Sequence, residues 1–148
     1  KFIPNIIETS DGADRATLAF LLDAYDEVET RSGEEGGKHE TEVVLRLHKD
    51  LAPIKVAILP LSKKEPLQKL AWEIQASIWD KFMTQYDETG SIGKRYRRQD
   101  EIGTPYCVTV DFDSLEDKKV TVRDRDTMQQ ERVEISNLKN YLENKFNS

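Results

Sequence analysis

The sequence predicts an α/β fold: a mixed five-stranded sheet with flanking helices over residues 51–148, preceded by a strand and a helix. Three observations carry this reading. Ile54-Lys55-Val56-Ala57-Ile58-Leu59 is a nearly continuous apolar run rich in β-branched residues, the pattern of an interior strand covered on both faces. Leu67, Leu70, Ala71, Ile74, Ile78 and Phe82 recur at helical spacing and make one apolar stripe. Val120 and Val122 alternate with Thr121, Arg123 and Arg125, which predicts a strand with one wet face.

In chain order, residues 2–7 read as a short strand, with Pro4 arguing for a sheet edge or a bulge. Thr9, Ser10, Asp11 and Gly12 supply turn and cap chemistry, and a helix is expected over residues 13–29. Phe20, Ala24 and Val28 recur along it, while Leu18, Leu21, Leu22 and Tyr25 widen its apolar face beyond what one neighbour covers. Within residues 1–50 only Val43-Val44-Leu45 is apolar enough to help, so this segment looks like part of a larger core. Residues 30–41 carry three of the seven glycines and no apolar residue, and read as an exposed, mobile loop. After the interior strand, Pro66 opens the second helix, flanked by Trp72 and Trp79. A short strand near residues 85–87, a helix over residues 91–101 and a strand over residues 105–112 follow. Residues 113–118 read as a hairpin loop before the Val120/Val122 strand. Val133 and Ile135 mark the last strand, and Leu138, Tyr141, Leu142 and Phe146 the last helix. The order β-α-β-α-β-β-β-α implies a mixed sheet with helices on its faces.

At 148 residues with a net charge of −6, a generally basic nucleic-acid coat is excluded, though a local basic patch is not. Residues 1–50 hold 12 acids and 6 bases, whereas residues 51–148 hold 16 of each. The whole excess lies in the first third, which points to two pieces of different origin. No apolar run approaches the roughly 18 residues of a membrane span, and no secretory h-region is visible. A single cysteine, Cys107, excludes a disulfide scaffold, and with two histidines a Cys/His zinc site is not expected. The chain reads as soluble and cytosolic.

Three constellations have chemical potential. In Glu8-Thr9-Ser10-Asp11-Gly12-Ala13-Asp14-Arg15, a strand end enters a glycine turn and an apolar helix. Gly12 allows close backbone approach, Arg15 offers a forked phosphate partner, and Glu8 with Ser10 suits a cationic amine. A capped helix whose Arg15 pairs with Asp11 or Asp14 accounts for the same residues without a ligand. The second constellation is Lys94-Arg95-Tyr96-Arg97-Arg98 after Ser91, a basic patch with an aromatic that suits an RNA backbone and an unpaired base. Its alternative is a solvated helix face with Arg97–Glu101 pairing. The third is Arg123 with Arg125 on the wet strand face, which also suits cross-strand ion pairs. His39 and His48 have no evident partner, and Cys107 reads as an inert core thiol.

These residues, in this order, closely resemble the C-terminal part of the dimeric, class II glycyl-tRNA synthetases. The stretch 8–15 resembles class II motif 3, which commonly reads Glu-Pro-Ser-x-Gly-x-Asp-Arg. Glu8, Ser10, Gly12, Asp14 and Arg15 match, Thr9 stands for the proline, and Asp11 occupies a position that is often small or apolar. The likeness continues through Leu45-Arg46-Leu47-His48 and Leu51-Ala52-Pro53-Ile54-Lys55-Val56. It is strongest in Gly90-Ser91-Ile92-Gly93-Lys94-Arg95-Tyr96-Arg97-Arg98-Gln99-Asp100-Glu101-Ile102-Gly103-Thr104-Pro105, and Val120-Thr121-Val122-Arg123-Asp124-Arg125-Asp126-Thr127 completes it.

The resemblance implies an ATP-dependent ligase that makes glycyl-adenylate and passes glycine to the tRNA 3′ end, homodimeric when full length. Glu8, Thr9, Ser10, Asp11 and Gly12 would border glycine, with Glu8 on its ammonium group. Gly12, Ala13, Asp14 and Arg15 would bind ATP, which comes with Mg2+, and no residue is assigned to the metal. Residues 1–50 would be the end of an antiparallel catalytic domain and residues 51–148 the anticodon-binding domain. Ser91, Lys94, Arg95, Arg98, Arg123 and Arg125 are the expected anticodon contacts. With the other class II motifs absent, this piece alone is expected to be inactive. The rival reading is a non-catalytic nucleic-acid-binding or polymerase-accessory module on the same fold.

Overall fold

The computed structural model describes residues 2–29 and 41–148. His39 and all but Thr41 of the expected loop over residues 30–41 lie outside them. Residues 2–12 carry no regular element, and Ile7 is 93% exposed. The strand expected over residues 2–7 is therefore not formed: a strand needs a neighbour for its backbone polar groups, and no described strand pairs with it.

Helix α1 spans Ala13–Ala24 and stops short of the expected residue 29. The backbone becomes extended at Tyr25, and β1 (Tyr25–Glu29) pairs antiparallel with β2 (Thr41–Leu45), Tyr25 opposite Leu45 and Glu29 opposite Thr41. Val28 thus joins a ladder with the Val43-Val44-Leu45 segment, a pairing that overrides its helical spacing. Only Ala24 of α1 is buried; Leu18, Phe20, Leu21 and Leu22 are exposed.

The second unit follows the expected order closely. β3 (Val56–Pro60) is buried throughout and lies parallel to β4 (Thr84–Tyr86) on one side and to β5 (Tyr106–Val110) on the other. β6 (Lys119–Asp124) and β7 (Gln130–Glu134) continue antiparallel, giving the order β4-β3-β5-β6-β7. α2 (Glu65–Ile78), with Pro66 in its first turn, and α5 (Leu138–Asn147) cover one face. Leu67, Ile74, Ile78, Leu138 and Leu142 pack there on Val56, Ile58, Val108, Val120 and Val122. Trp72 and Trp79 beside that stripe are exposed. Alternate strand residues Ala57, Leu59 and Cys107 point to the opposite face, against Ile92 and Tyr96 of α3 (Ile92–Glu101).

Between β5 and β6 the expected loop is a short helix, α4 (Asp113–Asp117). Asp111 initiates it by accepting hydrogen bonds from the Ser114 N–H and Oγ, each at 2.8 Å, and Lys118 ends it in the left-handed conformation at φ 55°. Ile135 does not extend β7 but opens a 3-10 turn, Ile135–Asn137, leading into α5. Among the described residues no helix is long and apolar enough to cross a membrane.

Candidate nucleic-acid interface

The basic run is carried on α3, whose first turn follows Gly90 at φ 79° and Ser91, whose Oγ accepts from the Lys94 N–H at 3.5 Å. Helical geometry then sends successive arginines to different neighbours. Arg95 is buried and donates to the Gly90 carbonyl at 2.8 and 3.2 Å and to the Pro60 carbonyl, tying the loop before α3 to the end of β3. Arg98 donates to Asp87 at 3.0 Å and to the Thr89 carbonyl at 2.6 Å. Arg97 reaches Glu42 of β2 at 2.8 Å, a partner 55 residues earlier.

The wet face expected on β6 is covered. α3 lies over it and supplies Asp100, whose two oxygens accept from Arg123 Nη1 and Nη2, each at 2.9 Å. Arg123 is 3% exposed, with Tyr96 stacked on its guanidinium at 4.7 Å. Burial disfavours the guanidinium charge, but the hydrogen bonds and charge of Asp100 hold its pKa above the ordinary arginine value. The Tyr96 phenol bonds Thr109 Oγ1 at 2.6 Å and is raised chiefly by burial. On the same face the buried Cys107 thiol is pushed up to about 12 by burial, so it is no nucleophile near neutral pH.

Arg125, just past β6, is buried too. It donates to the Gly103 carbonyl at 2.8 Å, the Leu47 carbonyl at 3.0 Å and Asp126 at 2.8 Å, docking the β2 end on the sheet. Gly103, at φ 80°, permits this approach: a Cβ there would stand 2.9 Å from the Leu45 carbonyl oxygen.

Between α3, β6, the start of β7 and β2 lies a cavity of about 320 Å³. Ser91 lines it from the cap of α3, Lys94, Tyr96 and Arg97 from α3 itself, Arg123 from β6 and Glu42 from β2. The structure therefore brings the predicted Ser91, Lys94 and Arg123 together, while Arg95, Arg98 and Arg125 are held elsewhere by carbonyls and carboxylates. Glu42, Met128 and Gln130 also line the cavity and were not foreseen from sequence. Met128 has a positive φ of 58° in the β6–β7 turn, but neither it nor Gln130 carries a motif signal.

The predicted group near α1 is not assembled into a walled site. Glu8, Thr9, Ser10, Asp11, Gly12, Ala13, Asp14 and Arg15 are all exposed. Asp11 Oδ1 accepts the Gly12 N–H at 2.7 Å, and among the described residues Arg15 forms no ion pair with Asp11 or Asp14. His48 lies beside Asp50, and no His/Cys/Asp/Glu group able to hold a metal ion occurs among the described residues.

Residues 55–145 match the family described as the anticodon binding domain. The chain belongs to that family. The whole chain is similar to named relatives: it is 59% identical over 146 residues to glycine–tRNA ligases of Clostridium acetobutylicum and Ruminiclostridium cellulolyticum. It is 57% identical over 143 residues to that of Clostridium beijerinckii. The first two alignments cover 99% of this chain but 30% of each relative, so the chain spans less than a third of their length. The fold is also that of the RNA binding domain of a threonyl-tRNA synthetase from Cryptosporidium parvum, with TM-score 0.60 and 24% identity over 67% of this chain and 25% of that one.

Proposed function

We propose that the chain is part of a glycine–tRNA ligase and supplies its anticodon-binding domain together with a piece of its adenylate site. The observation that carries this is the reach of the likeness. Identity of 59% extends over 99% of the chain, well outside residues 55–145 and into the segment bearing Glu8, Ser10 and Arg15. A bare RNA-binding module has no use for those three groups.

In this reading residues 1–50 close the catalytic domain. Glu8 holds the glycine ammonium, Ser10 borders the amino acid, and Arg15 draws negative charge off the ATP triphosphate, which arrives as its Mg2+ complex. Gly12 leaves room for close approach, since nothing but the Arg15 stem stands within 4 Å of its Cβ position. The full-length enzyme works in the cytoplasm as a homodimer. The cavity beside α3 takes the tRNA anticodon, with Lys94 and Arg97 at its basic edge.

The test uses the full-length enzyme. Arg15→Ala should cut glycine-dependent ATP–pyrophosphate exchange roughly 10- to 150-fold, the worth of one charged contact to a phosphate, with tRNA affinity kept. Lys94→Glu should do the opposite, weakening tRNA binding and flattening its salt dependence while exchange persists. Unchanged exchange in the first variant or unchanged tRNA affinity in the second overturns the corresponding half of the proposal.

A further inference from the structure

Where β5 begins and β6 ends, Tyr106 stands opposite Asp124 in the strand register. The two residues are shared walls of two cavities that have no wall in common with the one beside α3. The narrower, of about 110 Å³, is closed by Gln129 and Glu131 around the start of β7 and by Tyr141 and Lys145 of α5. The wider, of about 310 Å³, runs past Pro105 and Leu47 to Arg46, His48 and Lys49. Tyr106 is 7% exposed, and among the described residues its hydroxyl has no hydrogen-bond partner. Phe146 meets its ring edge-on at 5.3 Å. Burial raises the phenol pKa, and the charge of Asp124 raises it further while Lys145 opposes, so the oxygen sits among the charged walls of the narrow cavity. A buried hydroxyl without a partner calls for an occupant. Asp124 is open beside it. Its Oδ1 accepts from the Asp126 N–H, the Thr127 N–H and Thr127 Oγ1 at 2.8 to 3.0 Å, while Oδ2 accepts from no described residue. Both oxygens of Glu131, by contrast, are taken, by Tyr141 at 2.8 Å and Lys145 at 3.5 Å.

Charge gives the two cavities opposite characters. The narrow one sets Asp124 and Glu131 against Lys145, and the wide one sets Arg46, Lys49 and Arg125 against Asp124 and Asp126. A cation is favoured in the first and an anion in the second. An ammonium group carries three donors and no acceptor, which suits the open Asp124 Oδ2 and the Tyr106 oxygen. In the wide cavity Arg46 commits Nε to Asp26 and Nη1 to Asp126, and its Nη2 is engaged by no other described residue. We infer that this cleft binds a small ω-amino acid, its ammonium held between Asp124 and Tyr106 and its carboxylate toward Arg46 and His48. The methylene stem lies along Pro105 and Leu47. A diamine sets its second ammonium among the cations of the wide cavity, and a simple alkylamine leaves those cations unanswered. The assignment does not depend on the tRNA reading.

The experiment titrates the 148-residue chain calorimetrically with the unbranched ω-amino acids from glycine to 6-aminohexanoate, and with the diamine and alkylamine of each length. One amino acid should bind about tenfold more tightly than the diamine and the alkylamine of its own length, because only it answers both charges. Tyr106→Phe keeps the ring against Phe146 and removes only the hydroxyl. It should weaken that ligand about tenfold or more, the worth of a hydrogen bond to a charged group, while the unliganded chain melts no lower than the parent. Asp124→Asn keeps an oxygen for the β6–β7 turn, drops the charge, and should weaken every ammonium ligand. A diamine that binds as tightly as the amino acid, an unchanged affinity in a folded Tyr106→Phe or Asp124→Asn, or no binding by any member at millimolar concentration overturns the proposal. If no member binds and Tyr106→Phe lowers the melting temperature of the unliganded chain, the hydroxyl serves a structural water alone, and the ligand site is refuted.

Discussion

Helices α1 and α2 carry similar apolar faces and meet opposite fates. α2 buries Leu67, Ala71, Ile74 and Ile78 against the five-stranded sheet, whereas α1 buries only Ala24 and leaves Phe20 and Leu22 more than half exposed. The difference lies in what stands opposite. α2 faces a sheet that this chain completes, and among the described residues α1 has the β1–β2 hairpin at its end and little else. Helical periodicity therefore reports that a face needs cover, and the cover has to be found elsewhere.

The same contrast applies to charge, and the largest expected effect tests it there. Arg123→Ala strips Asp100 of both its bidentate bonds inside the α3–β6 contact and removes the opposite charge from beside a buried carboxylate, a loss of about 3–5 kcal/mol. Arg15→Ala, on the exposed start of α1, should stay within about 0.5 kcal/mol of the parent. Urea unfolding followed by circular dichroism reads both. A mild Arg123→Ala would mean that α3 does not seal the strand face, and the buried pair would lose its place as the bolt between helix and sheet.

Apolar truncation sharpens the comparison next. Ile74→Ala opens a cavity under α2 and should cost about 2–5 kcal/mol. Leu22→Ala removes a side chain that is 69% exposed and should cost less than about 0.5 kcal/mol. Amide exchange gives the same ordering without mutation: slow across β3 and β5, fast across residues 16–22. Similar losses for the two variants would show that α1 is covered in solution, by a second copy of the chain for instance, and would erase the contrast.

Sequence made the second region legible because its elements are local patterns. The all-apolar run became β3, the stripe from Leu67 to Ile78 became the buried face of α2, and the order of strands and helices from residue 54 onward held, with α4 and a 3-10 turn added. The failures were matters of distance along the chain. Arg123 read as wet because alternation describes one strand, while the carboxylate that buries it sits 23 residues away on α3. Glu42 was invisible as a cavity wall because it reaches α3 only after the hairpin folds back across the domain. Residues 2–7 have strand composition, but no described strand pairs with them. Of the expected contacts, Ser91 and Lys94 were legible from the helix start and the basic run, whereas the anchoring roles of Arg95 and Arg98 required the loop geometry around Gly90 and Asp87.

The smallest expected effect concerns the joint between the two regions. Asp126 accepts from Arg125 and from Arg46 of the β2 end, the latter at 3.1 Å. Burial by itself would raise its pKa, but the hydrogen bonds and charges of Arg125 and Arg46 more than offset that and hold it below the ordinary 3.8. A carboxylate depressed in the folded state stabilises fully above its unfolded value and loses that contribution as pH falls through the folded one. The pH window of interest therefore lies below about 4. Arg46 and Asp126 are partly exposed, so solvent screening limits their pair to about 0.2–1 kcal/mol. β3, by contrast, is sealed by side chains that carry no charge to lose in acid. Acidification should accordingly lower amide protection, measured against the intrinsic exchange rate at each pH, in β1 and β2 before it touches β3, and Asp126→Asn should reproduce part of that loosening at neutral pH. If protection in β2 and β3 falls together on acidification, the hairpin is held by its apolar contacts at Leu47 and Ala52 rather than by the Asp126 joint, and the boundary between the two regions has to be drawn N-terminal to β1.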